Sequence, residues 1–266
     1  MPEAPINQKQ RKWLDDASLI PDRHRLIKEF AHFQKALEKH DVEVIKPEPV
    51  DGVPDQLTPR DIGVVIGDVF VRMRMATSCR ANEWRGIQRV IDSIPHEHYE
   101  IVPESAVLEG GDVVVDNGFI FVGTGERSNA AGVEFLQHRF GDTFQVVQVP
   151  LRGEAQGEDV LHLDCAFVPI GKGKALIYPD GLKRIPDAIR DHYEWIEVNK
   201  AEQRILATNV LSIDTTTLIS RSAATRVNAV LREHGFEVIE VVFADTPKSG
   251  GSFRCASLPL LRDKPS

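Results

Sequence analysis

Apolar and polar positions follow a repeated plan along the chain. Short β-rich apolar stretches come in pairs around residues that favour tight turns, which is the pattern of a β-hairpin. Four such hairpins are predicted, and they begin at Ile62, Asp112, Ala166 and Asn209. Their spacing of about 50 residues indicates a repeat architecture.

Between the hairpins, apolar residues recur at the spacing of an amphipathic helix. The predicted helices cover residues 23–40, 81–94, 130–140 and 223–234. Short apolar strands are predicted after most of them, at residues 42–45, 144–149 and 236–242. Each unit therefore consists of a hairpin, a helix and a strand.

These units predict an α/β fold, and two arrangements fit them equally well. Four full copies and a closing strand near Cys255 can surround an axis like propeller blades, or the strands can form an ordinary mixed sheet. No low-complexity segment or long linker divides the sequence, so we expect residues 1–266 to form a single domain.

The composition limits the kinds of partner. The 266 residues include 32 Lys and Arg against 40 Asp and Glu, which gives a formal net charge of -8. This acidity disfavours binding to nucleic acid or to an anionic membrane surface. No apolar run reaches the roughly 20 residues of a membrane-spanning helix, and the first residues are too polar for a signal peptide. The expected location is cytoplasmic.

The cysteines agree with that location. Cys79, Cys165 and Cys255 lie far apart in the sequence. Such a sparse, odd set fits neither a disulfide framework nor a cysteine-rich zinc site. We therefore expect reduced thiols.

Three segments carry candidate chemistry, and each also has a purely structural interpretation. His162 and Asp164 lie two positions apart in a predicted strand, so they share one face as a structural pair or as functional groups. Glu109 precedes two glycines and either holds a ligand or opens a charged turn. Cys255 follows a glycine pair, where a thiol is either an exposed nucleophile or an inert buried side chain.

The repeat makes chemistry the better interpretation. Glu109, His162 and Cys255 stand at the same end of successive units, and Asp61 stands at that end of the first unit. In a cyclic arrangement, equivalent ends converge on the axis. Carboxylates, an imidazole and a thiol would then meet in one pocket.

Five motifs in order are similar to those of the guanidino-modifying enzymes of the pentein fold: PDQLTPRD, LEGGDV, GTGERSN, HLD and GGSFRCASLPLLRD. This superfamily includes arginine deiminases, dimethylarginine dimethylaminohydrolases, agmatine deiminases and amidinotransferases. The resemblance extends from Asp41 to the C-terminus. It implies a five-bladed α/β propeller that acts on a small-molecule guanidino substrate, with no metal and no organic cofactor. The oligomeric state stays open, and a homodimer is compatible with the resemblance.

The resemblance also implies catalytic roles at matching positions. Cys255 corresponds to the nucleophile and His162 to the general acid and base. Glu109 corresponds to the carboxylate that pairs with the histidine and with the guanidinium.

The substrate-binding positions are matched in the same way. Asp61 and Asp164 correspond to aspartates that grip the guanidinium nitrogens. Arg80 and Arg127 correspond to arginines that bind the substrate α-carboxylate or order the site. Asp55 corresponds to an aspartate that contacts the substrate in some members.

The resemblance leaves the reaction open between two branches. Two aspartates suit an unmethylated guanidinium, and the EGGD and GERS runs resemble those of deiminases. We therefore expect a cysteine hydrolase that forms citrulline from arginine or an arginine derivative. The alternative is an amidinotransferase, which the segments TPRDIGVVIGD and RANEWRG resemble. Dimethylarginine hydrolases typically carry Glu-Asp where this chain has Arg60 and Asp61, whereas arginine deiminases are usually longer than this chain.

Two other classes fit the sequence less well. A non-catalytic pentein would have no reason to keep Cys255 together with His162 and Glu109. A metal-dependent ureohydrolase would need more Asp and His ligands than the single His-x-Asp that is present.

Overall fold

The computed structural model describes residues 5–53 and 55–262. Within these ranges the strands form three-stranded sheets, one for each predicted hairpin. The first sheet contains β1 (Gly63–Ile66), β2 (Val69–Arg72) and β3 (Tyr99–Ile101), and the second contains β4 (Val113–Asp116), β5 (Phe119–Thr124) and β6 (Gln145–Pro150). The third contains β7 (Phe167–Gly171), β8 (Lys174–Ile177) and β9 (Glu194–Glu197), and the fourth contains β10 (Leu211–Ser212), β11 (Thr217–Arg221) and β12 (Glu237–Val241).

All four sheets have the same topology. The middle strand pairs antiparallel with the first strand and parallel with the third. The four predicted hairpins are confirmed, as are the strands predicted at 144–149 and 236–242, which are β6 and β12. In the second hairpin Asn117 and Gly118 have φ of 46° and 79°, the left-handed conformation that a two-residue turn requires.

The helices are α1 (Gln8–Arg11), α2 (Arg23–Glu38), α3 (Gln88–Asp92), α4 (Ala130–Phe140), α5 (Asp187–His192), α6 (Lys200–Arg204) and α7 (Thr225–Glu233). The helices predicted at 23–40, 130–140 and 223–234 are confirmed as α2, α4 and α7. In the described part of the chain, no helix is long and apolar enough to cross a membrane. The fold is mixed α/β.

The helix predicted at 81–94 is shorter than expected. It is replaced by a 3₁₀ turn, Glu83–Ile87, followed by α3. The backbone of this segment also bonds outside it, since the Glu48 N–H donates to the Gly86 carbonyl at 2.8 Å. In this segment, contacts with other parts of the chain therefore decide the backbone conformation more than the helical spacing of apolar residues does.

Three strand predictions are wrong. Residues 42–45 are not in a strand, and neither are the residues around Cys255; no described strand pairs with either segment. The segment VLHLDCAFV is not a strand at His162 and Asp164, because β7 begins only at Phe167. Instead Leu163–Cys165 form a 3₁₀ turn.

The hydrophobic core joins consecutive sheets in chain order. Separate apolar clusters connect the first sheet with the second, the second with the third and the third with the fourth. Phe33 and Leu37 of α2 pack with the fourth sheet and with Phe253. Leu258 and Leu260 pack with the cluster of the first sheet. The C-terminal segment therefore contacts both the first and the last sheet.

Candidate active site

The proposed site residues come from corresponding places in successive units. Asp61, Glu109, His162 and Asp164 lie in or beside the 3₁₀ turns that precede β1, β4 and β7. Cys255 lies in the C-terminal segment. All five are buried, with exposed fractions of 0–3%. Asp61, Glu109 and His162 have side-chain atoms within 4.8 Å of one another, and the Cys255 thiol lies beside Asp164. The strand alternation predicted for His162 and Asp164 does not occur.

Glu109 and His162 form the shortest pair in the site. Nε2 of His162 lies 2.7 Å from Oε2 of Glu109, and the Ala76 N–H donates to Oε1 at 2.8 Å. Burial raises the pKa of Glu109, but the hydrogen bond and charge of His162 outweigh it and lower the pKa to about 2. Burial lowers the pKa of His162, but the charge of Asp61 and the bond to Glu109 outweigh it and raise the pKa to about 10. The pair is therefore a carboxylate and an imidazolium at neutral pH.

Asp61 has one engaged and one unengaged oxygen. Oδ2 accepts a hydrogen bond from Nη1 of Arg80 at 2.9 Å. Oδ1 is buried without a hydrogen-bond partner among the described residues and lies 3.7 Å from Nδ1 of His162. Gly111 leaves this space open, because a Cβ atom there would lie 2.8 Å from Oδ1. A buried carboxylate oxygen without a donor is costly, so the site is suited to a ligand that brings one.

The guanidinium of Arg80 is buried and bonded to neighbouring side chains. Its Nε and Nη2 donate to the two oxygens of Glu83 at 2.6 and 2.8 Å, and Nη2 also donates to Oγ1 of Thr58. Burial lowers the pKa of Arg80, but Asp61 and Glu83 raise it well above the ordinary value. Burial raises the pKa of Glu83 to about 7. Of the two roles that the sequence left open for Arg80, the contacts favour ordering.

Arg127 and Asp55 lie nearer to the N-terminal segment. Arg127 contacts Oε1 of Glu109 at 3.4 Å and donates to the carbonyl of Ile6. It also lines a cavity of about 260 Å³. Asp55 is half-buried and accepts hydrogen bonds from Gln10 and from the Leu57 N–H, both outside the Glu109–His162 cluster.

Cys255 lies against Asp164. The thiol is 3.9 and 4.0 Å from the two carboxylate oxygens, and Nε of Arg254 lies 3.6 Å from Oδ2. Burial raises the pKa of Asp164. Among the described residues, no hydrogen bond joins the Cys255 thiol to His162. The thiol and the imidazole therefore contact different carboxylates, Asp164 and Glu109.

Asn209 and Asp112 hold the reactive segments together, and sequence analysis assigned no role to either. Asn209 accepts from the Cys255 N–H at 3.1 Å and donates to the Asp164 carbonyl at 3.3 Å. Asp112 accepts from the Leu163 N–H at 2.9 Å, which fixes the turn after His162. Asn209 begins the fourth predicted hairpin, so the repeat itself was the signal that could have found it.

One group of residues has the donor set of a metal site. Asp61, Glu109 and His162 each offer a ligand atom, and these atoms lie within 4.8 Å of one another. The His162 atoms already face carboxylates, and protonation of the ring competes with coordination. This arrangement makes sensitivity to chelators a necessary test.

A mixed α/β fold in which repeated units bring a thiol, a histidine–glutamate pair and two aspartates together is the arrangement expected of pentein guanidino-modifying enzymes. The sequence model of a family described as "N,N dimethylarginine dimethylhydrolase, eukaryotic" matches residues 2–262. The chain belongs to this family, within that superfamily.

Individual relatives agree with this assignment. The uncharacterized protein YkgA of Bacillus subtilis (strain 168) is 35% identical over 263 residues, which cover 97% of this chain and 86% of YkgA. The N(G),N(G)-dimethylarginine dimethylaminohydrolase of Streptomyces coelicolor is 26% identical over 246 residues, which cover 90% of this chain and 87% of that enzyme. The structure of SxtG, an amidinotransferase from Microseira wollei, is similar in fold, with a TM-score of 0.78 at 20% identity, and the match covers 90% of this chain and 83% of SxtG. The Streptomyces coelicolor relative supports modification of a guanidino group, and SxtG shows the shared fold.

Proposed function

We propose that the chain is a cysteine hydrolase that acts on the guanidino group of arginine or of an arginine derivative and forms citrulline. The observation that carries the proposal is the buried, unengaged Oδ1 of Asp61 between His162 and Gly111, next to the carboxylate of Glu109. A guanidinium is a planar cation whose N–H groups pair with carboxylates. Its binding would satisfy the orphan acceptor and compensate the buried negative charge.

The carboxylates would orient the substrate for attack. We assign Asp61 and Asp164 to the guanidinium N–H groups, so that the central carbon faces the Cys255 thiol, which already contacts Asp164. The positive charge of the bound substrate favours the thiolate. An unmethylated nitrogen has the most N–H groups to offer, which supports arginine over its dimethylated forms. Arg127 is the arginine assigned to the substrate α-carboxylate.

The reaction would proceed in two halves. The Cys255 thiolate adds to the guanidinium carbon, and the bond to one terminal nitrogen breaks after His162 protonates that nitrogen, which leaves as ammonia or an amine. His162 then removes one proton from water and the hydroxide adds to the covalent amidino-thioether. The carbon–sulfur bond breaks, and the added hydroxyl group loses its remaining proton to solvent. The products are the ureido compound and the free thiolate. Glu109 holds the imidazole through its 2.7 Å bond in both halves.

We also propose that the described units belong to a single five-unit propeller domain. Support comes from the contacts of the C-terminal segment with both the first and the fourth sheet, and from α2, which packs where the helix of a fifth unit would lie. Cys255 then occupies the place in the fifth unit that Asp61, Glu109 and His162 occupy in theirs.

The decisive experiment is a colorimetric assay for ureido products with arginine, methylated arginines and agmatine, each with the wild type and with Cys255→Ser. We expect citrulline from arginine or a derivative, no product from Cys255→Ser, and unchanged rates with a chelator. Agmatine, which lacks the carboxylate, should react poorly. Loss of activity with chelator would contradict the cysteine mechanism.

The alternative reaction gives a different result in the same assay. If folded wild-type protein forms no ureido product until an amine such as glycine or lysine is added, and then transfers the amidino group to that amine, the protein is an amidinotransferase and the hydrolase proposal is wrong.

A further inference from the structure

A second cysteine lies beside the proposed nucleophile. Cys165 ends the 3₁₀ turn Leu163–Cys165, and its exposed fraction is 3%. Its thiol donates to Oδ1 of Asp164 at 3.7 Å, and the Cys255 thiol lies 4.0 Å from the same oxygen. Two thiols therefore share one acceptor. The proposed hydrolysis uses only Cys255, so the neighbouring thiol has no role in it.

Side chains that bond to backbone groups hold the two thiol-bearing segments in place. Asn209 bonds to the Asp164 carbonyl with its Nδ2 and to the Cys255 N–H with its Oδ1. Thr208 donates to the Cys165 carbonyl at 2.7 Å. The side-chain contact with Cys255, together with burial, raises the pKa of Cys165 well above its ordinary value. Cys165 is therefore held as a neutral thiol next to Cys255.

We propose that Cys165 and Cys255 form a reversible disulfide that switches the site off when a hydroperoxide oxidises the Cys255 thiolate. The inference rests on the proposed function only in taking Cys255 as the nucleophile. The nearby thiol then serves as the resolving cysteine and protects the nucleophile from irreversible oxidation.

The chemistry balances in two steps. The Cys255 thiolate attacks the hydroperoxide, the O–O bond breaks, and the products are a sulfenic acid on Cys255 and an alcohol, or water if the oxidant is hydrogen peroxide. The sulfur loses two electrons, and the peroxide gains them. The Cys165 sulfur then attacks the Cys255 sulfur, the S–O bond breaks, and hydroxide leaves as water with the proton of the Cys165 thiol. Asp164 is placed to relay that proton, because it already accepts the thiol hydrogen bond.

A small oxidant can approach this pair. The cavity of about 260 Å³ beneath the N-terminal segment is lined by Cys165 as well as by Arg127, Leu161 and Gly250. A peroxide is small enough to occupy it, whereas Cys255 and His162 do not line it. The cavity therefore brings a peroxide up to Cys165, and from there the oxidant has to pass to the Cys255 thiol, which shares the acceptor Asp164 with Cys165.

The test treats fully reduced protein with hydrogen peroxide and maps the cysteines by mass spectrometry after alkylation. Wild type is compared with Cys165→Ser, with Cys165→Ala in case the serine variant does not fold, and with Cys79→Ser as the matched control. Cys79 is the remaining cysteine, is partly exposed, and makes no described contact with Cys255. Activity is measured before oxidation, after it, and after dithiothreitol.

We expect oxidation to remove nearly all activity from wild type and from Cys79→Ser, and dithiothreitol to restore it. In both proteins the oxidised sample should contain a Cys165–Cys255 cross-linked peptide whose mass is lower by two hydrogen atoms than the sum of the two reduced peptides. The Cys165 variants should be active at first, should accumulate a dimedone-reactive sulfenic acid and then sulfinic acid, and should not recover. Absence of the cross-linked peptide from oxidised wild type, or full recovery of a Cys165 variant, overturns the inference. The mass-spectrometric mapping of the disulfide does not require an active enzyme. If the wild-type protein is inactive before oxidation, the proposed function is wrong, but the presence or absence of the cross-linked peptide still tests the disulfide.

Discussion

A methyl group added at Gly111 tests whether the spacing between Asp61 and His162 is required for catalysis. In Gly111→Ala the new Cβ atom would lie 2.8 Å from Oδ1 of Asp61, 2.8 Å from Cγ of His162 and 2.9 Å from Nδ1. Carbon does not approach other heavy atoms so closely without displacing them. The methyl group would therefore occupy the gap in which we place the guanidinium nitrogen.

The magnitude follows from the displacement that the contacts require. To reach an ordinary separation of about 3.5 Å, the imidazole or the carboxylate must move by roughly 0.7 Å. The imidazole cannot move far without disturbing its 2.7 Å bond to Glu109. Because a misplacement of about 1 Å can lower a rate by about 100-fold, we expect kcat/KM to fall by roughly 10- to 100-fold. Overpacking should also lower the free energy of unfolding by about 1–3 kcal/mol.

The assay is steady-state kinetics on the preferred guanidino substrate, combined with urea unfolding. Gly125→Ala is the matched control, because its Cβ would meet only Leu151, at an ordinary 3.5 Å, and the residue is exposed. A Gly111→Ala protein with the same kcat/KM as Gly125→Ala would refute the reasoning. A loss of stability without a loss of kcat/KM would show that the gap serves folding only.

Further predictions concern buried charges. Arg80→Leu leaves Asp61 and Glu83 as uncompensated buried carboxylates, so urea unfolding should show a free energy of unfolding that is lower by about 3–5 kcal/mol. Arg80→Lys should restore only part of this free energy, because lysine cannot make the bidentate contact. The pKa of His162 is raised from 6.5 to about 10, so its contribution to stability is full below pH 6.5 and is lost as the pH rises through about 10. Urea unfolding across this range should show the decline in wild type and not in His162→Gln, and an identical decline in both would contradict the assignment. The pKa of Glu109 is lowered from 4.5 to about 2, so its contribution is present above pH 4.5 and is lost as the pH falls towards 2, a loss that Glu109→Gln should lack in acid titration.

Local sequence patterns were sufficient to predict the hairpins and the long helices. The turns at Asn117 and Gly118 need a left-handed backbone, which few residues adopt easily, so the sequence marks them clearly. Helix α4 begins at Ala130 because the Asn129 side chain caps it by accepting from the Gly132 N–H. These features depend on neighbouring residues only.

The failed strand predictions depend on partners that lie far away in the sequence. An apolar run such as 42–45 or VLHLDCAFV becomes a strand only if another backbone is present at hydrogen-bonding distance. At Leu163 the backbone N–H is instead satisfied by the carboxylate of Asp112, 51 positions earlier. A side chain so distant leaves no trace in local periodicity. The apolar character of the segment reflects burial rather than pairing.

The roles of the polar residues could be predicted only in part for a related reason. Sequence similarity offered two roles for Arg80, and nothing local showed that Glu83 and Asp61 would use its donors. Asn209 was predictable in principle, because it occupies the same place in its unit as the other site residues. Its use of both amide atoms to join the Cys255 and Asp164 segments was not.

The repeat explains why the buried site has acceptors left for a substrate. In the segments before the first strands, polar side chains from neighbouring units satisfy some backbone groups, as Asp112 does for the Leu163 N–H. Glu109 gives Oε1 to the Ala76 N–H and keeps Oε2 for His162, and Asp61 gives Oδ2 to Arg80 and leaves Oδ1 without a donor. In each carboxylate, one oxygen therefore accepts a hydrogen bond that holds the fold, and the other oxygen faces the site. Because both oxygens belong to one rigid carboxylate, the contacts that hold the fold also fix the position of the oxygen that faces the site. A change such as Gly111→Ala should therefore lower kcat/KM by a larger factor than it alters the contacts elsewhere in the molecule.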